Sequence, residues 1–548
     1  MKQKQLLGLG LALLLSIAGL TACQSDVAEI PEEIPEETAD LDYHPADSPP
    51  LRLAVTRPTQ MNPLLNDNDT LFQVYHLIYE SMITFDDHMK PEPLLAESWE
   101  LDDQGMSITF NLRSNVTWHD GEPFSPEDVV FTFQVLREQA ASLAYPNLYV
   151  NNLQQVSDVR KTGDHTVRFT FTRPYSNMLE TLAFPVLPQH LFAGQNRNRL
   201  TSSQFPLVGT GRYKVESFEA SRSMKLHYYP SYWGRKPYIE EIDVIVVPDH
   251  QAQLSLFESG EIDLVEPLTV DWIKYTDHEA VSGISYPSTQ YEFIGFNFRQ
   301  EIWQNQNLRQ AVAHAIDRDM IMKNIYFGHG HLTDVPVLPT SWLYHGEELR
   351  YTHDVTEARR LVESVELPES AIFTLLTNDG NPQREKMANA VAEALAEVGI
   401  TIEVETVSWQ VLQERLAAGQ FDLVLTGWHF SMVPDLSFAF HSTQESAGNF
   451  IGYENATIDQ LLESVFAAPN ETQKLERWHQ LQQYLLQEVP YVSLLFKEHA
   501  VLHRTSLKGE LTPNQFNIFR GIESAYLIPQ REDTTDDTTS AESSESGS

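Results

Sequence analysis

The stretch Pro91–Leu136 reads PEPLLAESWELDDQGMSITFNLRSNVTWHDGEPFSPEDVVFTFQVL. Within it, Ser107–Leu112 alternates polar and apolar residues with the period of a half-buried strand. His119-Asp120-Gly121 is read as a turn, because Asp-Gly after a strand marks a chain reversal before it marks an acid–base or metal site. Ser125-Pro126-Glu127-Asp128 then opens a helix, with serine as N-cap, proline at the first helical position and acids in the first turn. The helical period continues over Glu127–Ala140. Leu112, Val116, Trp118 and Phe131 are expected to be core, and Arg113 and Asp128 to pair within this unit. Strand, turn and helix in so short a span point to a mixed α/β class.

The same mixture runs outward. Strand-like alternation recurs in Leu51–Thr56, Thr166–Thr172 and Ile239–Val247. Helical periodicity covers Thr70–Met82, Asn307–Ile325, Pro382–Val398 and Glu471–Gln487. The stretch Asn307–Ile325 places Leu308, Val312, Ala315, Ile316 and Met320 on one face; Asp317-Arg318 inside it reads as a local cap or salt bridge. The 548 residues correspond to three or four domain-sized units, and 42% hydrophobic content is ample for a large core.

The ends differ from the body. Leu6–Leu20 is apolar, with Lys2 and Lys4 before it. As a helix it would span about 22 Å, short of the ~30 Å hydrocarbon core, so it reads as a secretory signal over residues 1–22. Residues 23–50 are acidic and proline-rich, with IPEE at 30–33 and 34–37, a composition that makes a stiff extended tether. Residues 531–548 are polar and acidic and are expected to be disordered. The chain contains a single cysteine, Cys23, so a disulfide within it is impossible.

Lys and Arg number 37 against 77 Asp and Glu, a formal charge of −40. Loss of Lys2 and Lys4 with the signal would make it more negative still. Such a field repels nucleic acid and lacks the phosphate-neutralising stripe of a DNA binder. No GxxxxGK[ST], GxSxG, HExxH or CxxC occurs, and Gly209-Thr210-Gly211 is too short for a phosphate loop and reads as a tight turn. Gly328-His329-Gly330-His331 is read as a solvated loop, because no third ligand lies at metal spacing. No catalytic residue, metal or cofactor is expected.

Several motifs carry a family resemblance. They are Leu95-Ala96-Glu97-Ser98-Trp99, Trp118-His119-Asp120-Gly121, Val208-Gly209-Thr210-Gly211-Arg212-Tyr213, Tyr232-Trp233-Gly234, Ser259-Gly260-Glu261-Ile262-Asp263, Ala315-Ile316-Asp317-Arg318, Gly427-Trp428 and Asn449-Phe450-Ile451-Gly452-Tyr453. In order and spacing, from about 51 to 525, they resemble the family 5 extracellular solute-binding proteins of ABC importers. Arg212 stands where the family has proline. Leu20-Thr21-Ala22-Cys23 likewise resembles a bacterial lipobox, which implies cleavage before Cys23 and its lipidation.

The resemblance implies a type II, cluster C periplasmic-binding-protein fold with two lobes and an extra domain inserted in the first. Lobe one would combine 51–87, 205–290 and 495–530; the extra domain would be 88–204 and lobe two 291–494. Three crossings between the lobes would permit hinge closure over a ligand. The implied function is an exported, lipid-anchored monomer on the outer face of the cell membrane, or in the periplasm of a host with an outer membrane. It would pass oligopeptides to an ABC permease and ATPase. Receptors for a nickel or metallophore complex or an oligosaccharide, or a peptide sensor without import, are the alternatives on this scaffold; His329, His331, His429 and His441 bear on the metal one. The family's amine-binding aspartate lies three residues after the tryptophan matching Trp428. Here Ser431 occupies that place, which favours longer peptides held along their backbone over free dipeptides. Asp435 either takes over the amine or caps the following helical turn. Trp428 either walls the ligand pocket or belongs to the core, and Asn297, ending the strand Tyr291–Phe298, is a candidate for ligand-backbone contact.

Overall fold

The computed structural model describes residues 45–529 except 141–148, 150, 151, 203, 220, 270, 347, 369 and 445–447. The signal, Cys23, most of the tether and the acidic tail lie outside the described residues. Among those described, no helix is long and apolar enough to cross a membrane.

Strands Leu51–Thr56, Glu241–Val247, Ser223–Tyr228 and Tyr213–Glu219 form a four-stranded sheet in that order, the first pair parallel. Helix Asp69–Ile78 packs beside it, and the Asn68 side chain accepts the Leu71 N–H (2.8 Å) as its N-cap. Gly209-Thr210-Gly211 passes against the end of this helix. A Cβ at 209 would sit 1.8 Å from the Ile78 carbonyl oxygen, so only glycine fits. His119 fastens the same turn. Its Nδ1 accepts the Gly209 N–H (3.2 Å), its Nε2 donates to the Gly211 carbonyl (2.8 Å), and burial pushes its pKa down to about 4. The imidazole is therefore neutral and structural.

A second antiparallel sheet has the order Ala96–Leu101, Ser107–Leu112, Thr166–Phe171, Val156–Gly163. Helix Pro126–Ala140 lies over it, and the Phe110, Phe133 and Phe169 rings meet edge to face at 5.8–6.0 Å. The expected Arg113–Asp128 pair does not form. Asp128 accepts the Ser125 N–H (2.9 Å) and hydroxyl (3.0 Å) and the Gln189 N–H (2.8 Å), leaving no need for a cation. Arg113 instead donates to the Leu94 carbonyl (2.7 Å) and lies 4.1 Å over the Trp233 ring. The Trp233 indole and the Tyr232 hydroxyl hold buried Glu80, whose carboxyl burial pushes up to about 6. The sheet from the 88–204 span shares one continuous apolar core with residues 51–85, 213–244 and 507–527.

The third sheet has seven strands. Its path is Leu264–Val265, Tyr491–Arg504, Val281–Phe296, Leu423–His429, Ile372–Asn378, Thr401–Val407, with Gly330–Leu332 added on Tyr491–Arg504. The expected loop at 328–331 is thus partly a strand, because its backbone finds a partner edge. The two long strands pair from Val281↔Arg504 to Pro287↔Glu498, slip, and resume at Tyr291↔Phe496. Proline has no N–H to give to a ladder, so the slip falls where pairing is weakest. It also separates the cores: a second large one is built wholly from residues 291–496. Among the described residues two strands make the crossing, not three.

Just past the slip, Glu292 is fully buried between the Arg384 guanidinium (2.7 Å) and the Lys497 ammonium (2.8 Å). Gly427 lies opposite Glu292 in the ladder, and a Cβ there would meet Arg384 Nη2 at 2.5 Å. Burial pushes the Glu292 carboxyl up, but Lys497 and Arg384 together bring it below its usual value. The expected helix Asn307–Ile325 is two helices, Gln306–Ala315 and Arg318–Ile325. Asp317 caps the second through the Met320 N–H (2.8 Å), while Arg318 pairs not locally but with buried Asp334 (2.7 Å).

The two bodies are shut against each other away from the hinge. Lys474 Nζ lies 2.6 Å from Glu180 Oε1, with side-chain exposures of 5% and 3%, and also donates to the Ser176 carbonyl (3.1 Å). Ser176 N–H bonds the Phe466 carbonyl (2.8 Å), Asn177 Nδ2 the Pro434 carbonyl (2.8 Å), and Trp342 N–H the His88 carbonyl (2.9 Å).

Two outcomes follow from these buried ions. Glu292→Gln leaves two cations without their counter-charge and is expected to cost about 3–5 kcal/mol at neutral pH. Because the folded pKa is depressed, that contribution is present above the unfolded value and lost as pH falls through the folded one. Urea midpoints of wild type and variant should therefore converge in acid; a pH-independent gap would count against it. Lys474→Met strands Glu180 in a closed cleft, and opening rehydrates it. Small-angle scattering should give a larger radius of gyration for Lys474→Met and recovery in Glu180→Gln/Lys474→Met; an unchanged radius in the single variant would remove the closing role.

Candidate ligand-binding cleft

Strand Leu423–His429 runs beside Tyr291–Phe296 toward the hinge, and the Phe430 N–H adds one more bond to the Thr289 carbonyl (3.1 Å). The chain then leaves the sheet as the loop 430–436. This loop walls a space of about 650 Å³, counting its open mouth. Residues 336–338, 341–343, Trp478 and Phe496 complete the side belonging to the second core; Met89 and Glu180 close it from the first, and Thr289 comes from the crossing strand. A second space of about 640 Å³ has Met89 and Leu338 in its wall as well, and is bordered by Ile284–Pro287 and residues 511–514. The two neighbouring spaces lie along the crossing strand.

Ser431 and Asp435, singled out from sequence, both lie on the loop and line the first space. Ser431 Oγ donates to the Val433 carbonyl (3.0 Å) and shapes the loop. Asp435 is exposed, and its Oδ1 accepts the Ser437 N–H (2.8 Å), capping the turn into helix Ser437–Phe440. Trp428 stands behind the wall, edge-on to Phe438 (5.0 Å) and tilted on Phe450 (5.5 Å), where it supports the loop rather than facing the space. Asn297 is at the far end of the same strand pair. It is 1% exposed, and its amide donates to the Gly419 (3.0 Å) and Phe421 (2.7 Å) carbonyls. Its amide donors hold the segment that leads into strand Leu423–His429.

Most of the wall was not singled out from sequence. Residues 336–343 form no periodic element, so nothing in their spacing marks them. Trp342 is held by cations, with Lys90 and Lys474 ammonium groups 5.5 and 5.2 Å from its ring centre. Glu180 and Lys474 are 294 residues apart, and only the closed fold brings them together.

The histidines do not converge. His329 and His331 approach Glu498 (3.6 and 3.3 Å), His441 lies near Asp459 and Glu463 (3.8 and 3.7 Å), and His429 ends its strand near His499 and Lys497. Burial, then those two neighbours, hold the His429 pKa below its ordinary value. Among the described residues, no group of three or more His, Cys, Asp or Glu side chains is placed to hold a metal ion.

A two-bodied molecule with crossing strands and an interlobe cleft invites comparison with known binding proteins. The model of the bacterial extracellular solute-binding proteins, family 5 middle region, matches residues 90–450. The oligopeptide-binding protein AppA of Bacillus subtilis (strain 168) is 25% identical over 480 residues, 83% of this chain and 87% of its own length. The structure of AppA from Bacillus subtilis in complex with a nonapeptide aligns at TM-score 0.63 and 24% identity, over 88% of this chain and 99% of that one. NikZ from Campylobacter jejuni in complex with Ni(L-His) aligns at TM-score 0.66 and 22% identity, over 87% and 99%. The matched span, most of the folded body, shows that this chain belongs to the family 5 bacterial extracellular solute-binding proteins, binding components of ABC importers with a type II periplasmic-binding-protein fold, and not to a family of enzymes.

Proposed function

We propose that this chain is an oligopeptide receptor, exported and held at the membrane through lipid on Cys23, that encloses its cargo between two lobes and hands it to an ABC permease. The division into lobe one, inserted domain and lobe two at 87/88, 204/205, 290/291 and 494/495 is part of the same reading. The observation that carries it is the state of the cleft's acids. Asp435 caps a turn and Glu180 is neutralised by Lys474, so among the described residues lining these spaces no buried free carboxylate waits for a terminal ammonium, while two neighbouring spaces lie along the crossing strand. This arrangement suits a peptide held along its length, whose extended backbone bonds strand edges and loops. Closure removes water from those bonds and strengthens them. The peptide cargo of AppA supports the reading, and the dispersed histidines give the metal-complex alternative no ligand set.

Native mass spectrometry of protein purified without refolding is expected to find co-purified peptides of mixed sequence. A bound metal complex or sugar would replace this reading. By calorimetric titration, octapeptides should bind at least about tenfold tighter than dipeptides, a difference of about 1.4 kcal/mol; equal affinities would contradict the missing amine anchor. Cys23→Ser should release the protein from the membrane fraction with peptide affinity unchanged, and weaker binding by the soluble form would show that Cys23 does more than tether.

A further inference from the structure

The space beside the hinge has a composition of its own. Met89 reaches it from one body; Val337, Leu338, Trp342, Phe430 and Val433 face it from the other. Of its two acids, one lies inside and is already matched, and the other stands at the mouth. Glu180 is already in a 2.6 Å ion pair with Lys474, both side chains at least 95% buried, and Asp435 sits at the exposed rim with one oxygen committed to Ser437. A charged ligand group entering there would lose its water and gain no partner. Two buried atoms of wall residues, Thr289 Oγ1 and Trp478 Nε1, have no hydrogen-bond partner. The indole N–H can only donate, so it calls for an acceptor, and the threonine hydroxyl can serve as donor or acceptor. Protein interiors rarely leave such groups unmatched.

We propose that this space is a selectivity pocket that takes one bulky, uncharged side chain of the peptide, preferring one that carries a hydrogen-bonding tip, such as tyrosine, and rejects charged side chains. The proposal rests on the peptide reading above and adds to it a residue preference that the reading itself does not contain. Because Met89 and Glu180 come from one body and the remaining wall from the other, the pocket is complete only when the lobes are shut. A side chain that fills it therefore also stabilises the closed form, through apolar burial on both sides. The paired Glu180 and Lys474 serve here as a plug of balanced charge, and the cations over Trp342 keep that ring in the wall.

The test uses the mature protein and alanine-based octapeptides bearing Ala, Phe, Tyr, Lys or Glu at the fourth position, titrated calorimetrically. Phe is expected to bind about 30-fold tighter than Ala, Tyr tighter than Phe, and Lys and Glu no tighter than Ala. Val433→Trp and, independently, Val337→Phe fill the pocket, and in either variant the Phe-to-Ala ratio should fall to about threefold or less. Equal binding of all five peptides overturns the pocket and leaves the peptide reading standing. Lys or Glu binding as tightly as Tyr, or a preference that survives both fillings in variants whose melting temperatures match wild type, also overturns it. Failure of every octapeptide to bind overturns both.

Discussion

The pairing of Val281–Phe296 with Tyr491–Arg504 governs the rest of the molecule. These antiparallel strands are the described passages between two separately packed cores, and their ladder is interrupted between Pro287 and Tyr291. A regular ladder resists bending because every backbone group on it is committed. The interruption is where rotation between the two bodies would be absorbed in the proposed closure. Immediately beyond it, the buried Glu292 with Arg384 and Lys497 ties the strands to helix Pro382–Glu397, so that flexibility is confined to a short segment. The cleft opens at the same place, because Thr289 of the interrupted segment and the loop beginning at Phe430 both leave the ladder there.

Charge is handled in two ways. At the surface, the excess of acids keeps the body hydrated and apart from anionic partners. Inside, some carboxylates are matched by cations, Glu292 by two, Asp334 by Arg318 and Glu180 by Lys474, while Glu80 and Asp128 are held by neutral donors. The Glu180 pair differs from the others because its partners belong to opposite sides of the cleft. The same contact that joins the two sides also commits the Glu180 carboxylate to Lys474. What remains facing the space is largely apolar.

Elements with strong local signals were legible in the sequence. Leu51–Thr56 and Ser107–Leu112 are strands over the expected residues, and the helices at 126, 382 and 471 begin within a residue of expectation, because alternation, N-caps and proline at the first turn act over a few neighbours. The matched motifs turn out to be framework. Gly209 and Gly211 admit a helix end, His119 fastens them, Tyr232 and Trp233 hold Glu80, and Asp263 anchors Arg52 (2.5 Å). They identify the scaffold and lie away from the cleft wall. Misreadings arose where a side chain took a partner other than the expected one or a cap fell inside an apolar face. Asp128 bonds Ser125 and the Gln189 N–H rather than Arg113, Arg318 finds Asp334, and Asp317, the expected local cap, starts a new helix in the middle of a continuous apolar face.

By itself, the sequence determined the α/β class, the placement of the elements with strong local signals, and the family. These depend on local periodicity and on motifs whose spacing is preserved along the chain. Only the tertiary structure decided which residues meet across the cleft. Met89, Glu180, Thr289, Trp342, Val433 and Lys474 come from six separate stretches of chain, and their convergence depends on where two strands cross and how the two cores pack together. It also decided that Trp428 packs on Phe438 and Phe450 and that Asn297 bonds the Gly419 and Phe421 carbonyls, since which groups a buried amide or indole meets is set by packing in three dimensions and leaves no period in the sequence.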